Sequence, residues 1–170
     1  MQVLEGISNF LKTWCGGARM PQVEACAPTH TYTPDELEAF IDHSLNSQDR
    51  FAQSMLFAND MENMFARANI RSSLRIAQMN LSVFRAGLES SGHTGTCLWF
   101  ETSETPQAIR FAGQVLDCSA DERGEHLQVF HQGTKIGDVY AMHGWVGPTP
   151  KVIGWLAMID IQKVNVTSLA

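Results

Sequence analysis

The sequence has few basic residues for its length, and it lacks any long apolar run. Lys and Arg together number 12, against 18 Asp and Glu, which gives a formal net charge of −6. A general nucleic-acid-binding protein needs a basic face, so this balance argues against that class. No stretch approaches the roughly 18 consecutive apolar residues of a membrane-spanning helix. We therefore expect neither general nucleic-acid binding nor a transmembrane segment.

Several other signals are missing. The N-terminus shows no basic stretch leading into an apolar one, so we expect no secretory signal and a cytoplasmic location, although a delivered effector or a virion component would look the same. Its four cysteines, Cys15, Cys26, Cys97 and Cys118, form no C-x-x-C pair and match no zinc spacing. There is no glycine-rich phosphate loop. We expect reduced thiols, no metal and no cofactor.

Glycine and proline are both absent from Asp35 through Ala86, a stretch of 52 residues in which only four are β-branched. Such a composition is typical of helix. From Gly87 onward the pattern reverses, because ten of the 13 glycines lie there and short apolar runs alternate with turn residues. The sequence predicts an α+β domain over 34–170, with a helical half (34–90) followed by a β half (91–170).

The helical half is expected to form a hairpin at about 34–90. Thr33 and Glu36 resemble a capping box around Pro34. The predicted buried face of the first helix is Leu37, Phe40, Ile41 and Leu45, and Asn46 and Ser47 are expected to interrupt it. The following residues step 4-3-4-3-4 and predict a buried seam: Ile70, Leu74, Ala77, Leu81, Phe84 and Leu88. We expect the chain to turn around Asn69–Ser73.

Residues 1–17 predict a separate amphipathic helix. Val3, Ile7, Phe10 and Trp14 step by four, three and four, which places them on one face. Two glycines at 16 and 17 end the pattern. Residues 18–33 contain two prolines and are expected to be a linker. A terminal helix of this kind can fold back on its own domain or dock into a partner.

The β half predicts a curved antiparallel sheet, or a small partly open barrel, of about five strands over about 94–166. The expected strands are Thr96–Glu101, Ile109–Cys118, His126–His131, Lys135–Met142 and Val152–Asn165. A rigid loop rich in glycine and proline is expected at 144–150. Trp145 in this loop is of a type that interfaces use, so we count it as a candidate partner-binding residue.

Two clusters are candidates for chemistry. Cys97 followed by His131, Asp138 and His143 has the chain order of a thiol nucleophile with a base and an orienting carboxylate, although free cysteine is more often a buried hydrophobe. Arg67, Arg71 and Arg75 would form an anion-binding ladder on an unbroken helix. The alternative for the arginines is pairing with the acidic residues of the preceding helix.

These observations favour a non-enzymatic binding or assembly protein, expected to be oligomeric, that uses its helical apolar faces and the Trp/Pro/Gly loop to bind either itself or another protein. The predicted partner-binding residues are Val3, Ile7, Phe10, Trp14 and Trp145. One alternative is a module with an apolar cavity between helices and sheet that takes a small apolar ligand. Another is a cysteine-dependent hydrolase or deamidase, of the kind found among effectors and toxins, that uses Cys97 with His131 or His143.

Overall fold

The computed structural model describes residues 24–58, 61–146 and 149–167. The helices in these ranges are α1 (Pro34–Ala58), α2 (Met61–Ser91) and α3 (Ile161–Thr167). The strands are β1 (His30–Tyr32), β2 (Gly95–Phe100), β3 (Ala108–Phe111), β4 (Gln114–Ala120), β5 (His126–His131), β6 (Thr134–Val146) and β7 (Thr149–Asp160). The coarse prediction of helices followed by an antiparallel sheet is confirmed. The predicted helix at 1–17 lies outside the described residues.

The predicted capping box begins α1. The backbone N–H of Glu36 donates to Thr33 Oγ1 at 3.2 Å, and the N–H of Thr33 donates to a Glu36 carboxylate oxygen at 2.9 Å. Leu37 and Ile41 are buried, as predicted. Phe40 is 51% exposed, so its assignment to the buried face is wrong. Its ring stacks on Tyr32 at the side of the helix, with centroids 6.0 Å apart.

Both predicted interruptions of the helices are wrong. α1 continues through Asn46 and Ser47, and α2 continues through Asn69–Ser73. Asn and Ser cost only a few tenths of a kcal/mol more than the best helix formers, which tertiary packing readily overrides. α1 ends at Ala58 and α2 begins at Met61, and the two helices pack against each other. The hairpin is therefore present, with its turn earlier in the chain than expected.

The sheet is curled and antiparallel, with the strand order β1-β2-β7-β6-β5-β4-β3. We expected about five strands over 94–166, where the structure has six, and β1 at His30–Tyr32 adds a seventh strand to the sheet. The stretch Ile109–Cys118 is not one strand, because Ala112 and Gly113 adopt positive φ angles of 50° and 75° and turn β3 into β4. The stretch Val152–Asn165 is divided at Asp160, whose carboxylate accepts the N–H of Lys163 and caps α3.

Residues before β1 draw the two edges of the sheet together. The N–H of Cys26 donates to Ala108 O at 3.0 Å, and the N–H of Arg110 donates to Cys26 O at 2.8 Å, so Cys26 bridges the β3 edge. Four residues later, β1 pairs with β2 at the opposite edge. Part of the segment that we expected as linker, from Cys26 to Tyr32, thus belongs to the sheet. The sheet is therefore a half-barrel, and the segment from Cys26 to Tyr32 connects its two edges.

Alternation along the strands divides the hydrophobic residues between two cores. One core lies inside the curl and draws on β2 to β7 and α3, with Phe100, Ile109 and Trp155 among its largest members. The other, which we call the outer core, lies between the outer face of the sheet and the helices, and its members include Leu81 of α2 and Cys97 of β2. α2 packs on β6 and β7, and α1 packs on β1 and β2. The helices leave the outer face of β3, β4 and β5 uncovered.

Candidate functional site

An uncovered row of apolar side chains runs along α2 on the side away from the sheet. Ile76, Met79 and Val83 are 56%, 69% and 73% exposed. Ala86 continues the row and is also exposed. We call these four residues the outer stripe. Because their spacing of three and four residues places them on one helical face, they form a contiguous surface and not scattered exposures.

The outer stripe carries no charge. No charged residue occurs from Ile76 through Phe84. Exposed small residues extend the row at both ends, with Ser72 before it and Gly87 and Ser90 after it. At 1.5 Å per residue the face from Ser72 to Ser90 is about 27 Å long. A solvated helix face normally carries charged side chains, so this face has the composition of a contact surface.

On the opposite side of α2, a buried row holds the helix to the sheet. Leu74, Ala77, Leu81 and Leu88 are each 8% exposed or less. These residues, which we call the inner seam, are members of the 4-3-4-3-4 seam that the sequence predicted. The prediction of a buried seam is confirmed for them. The same helix therefore has two apolar faces, and the sheet covers one.

A groove opens between α1, α2 and the ends of β2, β6 and β7. Its volume is about 510 Å³, which lies within the range of small-ligand sites. Apolar side chains dominate its wall: Leu37, Ile41, Leu74, Trp99, Met142 and Leu156. Its polar members are His30, Ser44, Glu101 and His143. A groove in this place is what the small-ligand alternative requires, and binding of a ligand there stays a prediction.

Glycines in the sheet make room for the floor of the groove. A Cβ on Gly154 would lie 2.2 Å from the ring of Trp99, so that ring rests directly on the strand. A Cβ on Gly144 would lie 2.4 Å from Ile153 Cδ1. The Cβ at 154 would also lie 2.8 Å from Phe100 O, so the position of the Trp99 ring depends on glycine there. The neighbour of Gly144 is only the flexible end of the Ile153 side chain, which can move aside.

His143 forms a polar corner of the groove. Its Nδ1 lies 3.1 Å from Ser73 Oγ, and its Nε2 lies 3.7 Å from Glu125 Oε1. Serine, histidine and carboxylate in series can activate a hydroxyl nucleophile. Ser73 lies in the middle of α2, however, where backbone N–H groups already bond to carbonyls of the preceding turn. The backbone therefore offers no oxyanion donors beside it, and the cluster orients His143 towards the groove.

Cys97 lies at the centre of the outer core. Its side chain is fully buried, and burial raises the pKa of its thiol from 9.0 to about 12, an effect that Arg85 partly opposes. Among the described residues no hydrogen bond joins Cys97 to a histidine. Its register partner is Met158, and Asp138 follows on the next strand, about 9.5 Å from Cys97 at ordinary strand spacing. These surroundings favour the buried hydrophobe over the nucleophile.

The other members of the predicted cysteine site have separate environments. His131 ends β5 and is 9% exposed. The carboxylate of Asp138 accepts a hydrogen bond from His126 Nε2 at 2.8 Å and forms an ion pair with Lys135 Nζ at 3.0 Å. His143 belongs to the groove. The structure therefore does not bring Cys97, His131, Asp138 and His143 together as one site.

Asp138 instead belongs to an ionic cluster on the outer face of β5 and β6. The ring of His126, whose Nε2 donates to Asp138, stacks on Tyr140 with centroids 4.8 Å apart and planes 6° apart. Burial, together with the charge of Asp138, raises the pKa of Tyr140 to about 12. In the sequence analysis, His126 begins a predicted strand and has no assigned role. Among the described residues no group of three or more His, Cys, Asp or Glu side chains is arranged to hold a metal ion.

The predicted arginine ladder lies on the unbroken α2. Arg67, Arg71 and Arg75 are therefore spaced one turn apart, as an anion site would need. Arg75 is exposed and Arg71 is half-buried. Further along α2, Arg85 pairs with acidic residues of α1, which was the alternative for the arginines of the ladder. Its guanidinium lies 2.5 Å from Asp35 and also contacts Glu38.

Most of the predicted partner-binding residues lie outside the described part of the chain: Val3, Ile7, Phe10 and Trp14. Trp145 lies in β6, opposite Pro150 of β7. The loop expected at 144–150 is wrong for most of its length, because β6 extends to Val146 and β7 starts at Thr149. Residues 147 and 148 lie outside the described residues. Sequence reasoning missed the outer stripe, although its 3-4-3 spacing is as regular as that of the inner seam.

Comparison of the chain with protein-family models, with curated proteins and with solved structures finds no match. Within the described residues, no helix combines the length and the apolar composition needed to cross a membrane.

Proposed function

We propose that the chain is a non-enzymatic binding and assembly protein that self-associates through the outer stripe of α2. One observation carries this proposal, namely the exposure of Ile76, Met79 and Val83 on a single uncharged helix face. Burying a fully exposed side chain of this kind is worth about 1.5–3 kcal/mol, and the exposed fractions of 56–73% leave roughly half or more of that to be gained at each position. A second surface that covers the stripe recovers this free energy, which the fold of one copy leaves unused.

The inner seam supports the same proposal. Packing against the sheet already explains one apolar face of α2, so holding the helix in place does not require the second face. A helix that is apolar on two sides belongs in an interior or at an interface. Methionine at the centre of the outer stripe adds an adaptable contact. The partner closest at hand is another copy of this chain.

The mass of the full-length chain in solution, measured by light scattering and native mass spectrometry, tests the proposal. We expect a dimer or a larger oligomer at micromolar concentration. Val83→Glu should weaken association by about tenfold or more, because it places a charge in the middle of the buried contact. Val115→Glu is a matched control, since Val115 is 50% exposed on the uncovered face of β4. A monomeric wild-type chain would contradict the proposal.

A second candidate function is binding of a small apolar ligand in the groove. The observation that favours it is the aromatic floor formed by Trp99 above Gly154, with His143 as a polar anchor at one corner. Pockets with apolar walls and a few polar groups are typical ligand sites. This function is compatible with self-association, because the groove and the outer stripe lie on different sides of α2.

Fluorescence titration with the apolar dye anilinonaphthalene sulfonate tests the groove. Ser44→Trp fills it from the α1 side and should reduce dye binding by about tenfold. Ser119→Trp places the same side chain on an exposed position of β4 and should have no effect. Carrying out both titrations in the Val83→Glu background removes dye binding at the outer stripe. Equal binding by the two Trp variants would eliminate the groove as the site.

A further inference from the structure

The outer stripe continues a heptad-like pattern beyond its four apolar residues. The exposed positions of this face are Ser72, Ile76, Met79, Val83, Ala86 and Ser90. They step 4-3-4-3-4, as the residues along one seam of packed helices do. Small residues at both ends allow another backbone to approach closely. The shape required of the occupant is therefore a second helix with a narrow apolar face.

One segment of this chain has that face. The sequence predicts a helix there, with Val3, Ile7, Phe10 and Trp14 stepping 4-3-4, and a helix of that length spans about 16 Å, against about 15 Å from Ile76 to Ala86. The charged residues of the segment, Glu5 and Lys12, fall on its opposite side by the same periodicity. Both contact faces are therefore uncharged and of equal length. This match is the reason for naming the segment, and not a second copy of α2, as the occupant.

The point at which the described chain begins limits how the segment reaches the stripe. Cys26 is fixed to β3, while α2 packs on β6 and β7, beyond β1 and β2 in the strand order. The ten steps from Glu24 back to Trp14 extend to about 33–36 Å at most. Three strand spacings and one helical layer consume about 25 Å of that reach. The remaining length of about 8–11 Å leaves the stripe of the same copy within reach of the segment. The proposed self-association is therefore what selects a neighbouring copy, and docking within one copy would leave the wild type monomeric.

We infer that residues 3–14 of one copy dock on the outer stripe of a second copy, so that the chain assembles by exchanging its N-terminal segments. This inference rests on the proposed self-association and specifies its contact. The donor surface is Val3, Ile7, Phe10 and Trp14, and the acceptor surface is the outer stripe. Such exchange converts two incomplete subunits into an assembly in which the apolar face of each is covered.

Complementation between two full-length variants tests the exchange. Ile7→Asp damages the donor surface and leaves the acceptor intact, and Val83→Glu does the reverse. We expect each variant alone to associate about tenfold or more weakly than the wild type. An equimolar mixture, with one chain labelled with ¹⁵N, should form a 1:1 complex that native mass spectrometry resolves. Ser8→Asp, which adds the same charge on the polar face of the segment, should associate like the wild type.

The outcomes separate the two proposals. If Val83→Glu abolishes association and Ile7→Asp does not, the stripe meets another surface, so the exchange is overturned and self-association stands. If the wild type is monomeric, both proposals fail. If both variants lose association and the mixture does not recover it, the exchange is overturned, because a single intact donor and acceptor pair should suffice.

A cross-link provides an independent readout. Cys15 follows Trp14 directly, so an exchanged segment holds its thiol near one end of the outer stripe. We expect copper-phenanthroline oxidation to join Cys15 to Ser72→Cys or to Ser90→Cys in a covalent dimer, and the reacting end reports the direction of the helix. Ser119→Cys is the control on β4. Cross-linking at Ser119→Cys as fast as at both stripe ends would overturn the inference.

Discussion

The inner seam and the outer stripe of α2 have the same spacing and opposite surroundings. Leu81 is 2% exposed, and Val83, two positions later, is 73% exposed. The sheet accounts for the difference, because the outer faces of β6 and β7 cover one side of the helix and nothing in the described chain covers the other. Periodicity therefore identifies apolar faces, and only the fold shows which of them remains available.

The largest effect that this comparison predicts is the protection of the Cys97 thiol from alkylation, because Cys97 lies beneath the inner seam of α2. Its pKa of about 12, against 9.0 for an accessible thiol, lowers the thiolate fraction at pH 8 about a thousandfold. We expect iodoacetamide to label Cys97 at least that much more slowly in the folded protein than in guanidinium, as measured by peptide mass spectrometry. Rapid labelling of folded Cys97 would show that the inner face opens, and would revive the nucleophile hypothesis.

The same shift makes stability depend on alkaline pH. Below pH 9.0 the thiol of Cys97 is protonated in both states and contributes no pH dependence. Between pH 9.0 and about 12 the unfolded chain loses this proton while the folded chain keeps it. The free energy of unfolding must therefore fall as pH rises through that window. Cys118 and Tyr140, whose pKa values burial also raises to about 12, add to the effect in the same direction.

Truncation on the two faces of α2 should produce the next largest contrast. Leu81→Ala removes buried methyl groups from the outer core and should lower the free energy of unfolding by about 2–5 kcal/mol. Met79→Ala on the outer stripe should change it by about 0.5 kcal/mol or less under monomeric conditions. Urea unfolding at low protein concentration measures both. Equal losses would mean that Met79 is covered within a single copy.

The helices were predictable because their signals are local. The absence of glycine and proline from Asp35 through Ala86 identified the helical half, and the Thr33–Glu36 pair marked where it begins. The turn between the helices was misplaced, since Asn and Ser are too weak as helix breakers to determine it. The β3–β4 turn was missed because Ala112, a residue with little preference for positive φ, occupies its first position.

The candidate site was less predictable, because its contacts join residues far apart in the chain. Ser73 and His143 are separated by 70 positions. A serine or a histidine in a sequence does not show by itself whether its side chain lines a groove or lies in a core. The outer stripe is a different case, since its spacing was visible in the sequence and its exposure was not. Which of two apolar faces a sheet covers depends on register and strand order, and a single sequence does not encode these locally.

Alanine at two glycines should sharpen the contrast between the crowded sheet and the open face of α2. Gly154→Ala forces its Cβ against Trp99 and to 2.8 Å from Phe100 O, so we expect a loss of about 1–3 kcal/mol. Gly87→Ala meets nothing within 4 Å in the helix and should stabilise the chain by about 0.5–1 kcal/mol. Thermal unfolding of both variants provides the measurement. A stabilising Gly154→Ala would show that Trp99 does not rest on β7.

The smallest effect concerns the ion pairs that join the two helices. Arg85 contacts Asp35, which is 82% exposed, and Glu38, which is 54% exposed, so water screens both pairs. Arg85→Ala should lower the free energy of unfolding by about 1 kcal/mol or less, and about 1 M salt should remove most of the difference from the wild type. Urea unfolding at low and high salt measures this.

Arg85 also has an effect beneath the inner face. Its charge partly offsets the rise in the pKa of Cys97, so Arg85→Ala should raise that pKa further and slow alkylation of the folded protein. The ion pairs act at the surface, whereas this effect acts on a buried thiol, so the two measurements separate them. If Arg85→Ala costs several kcal/mol at high salt and speeds the labelling of Cys97, the arginine holds the inner face closed by packing. The aliphatic stem of Arg85 would then cover the inner side of α2 together with the inner seam.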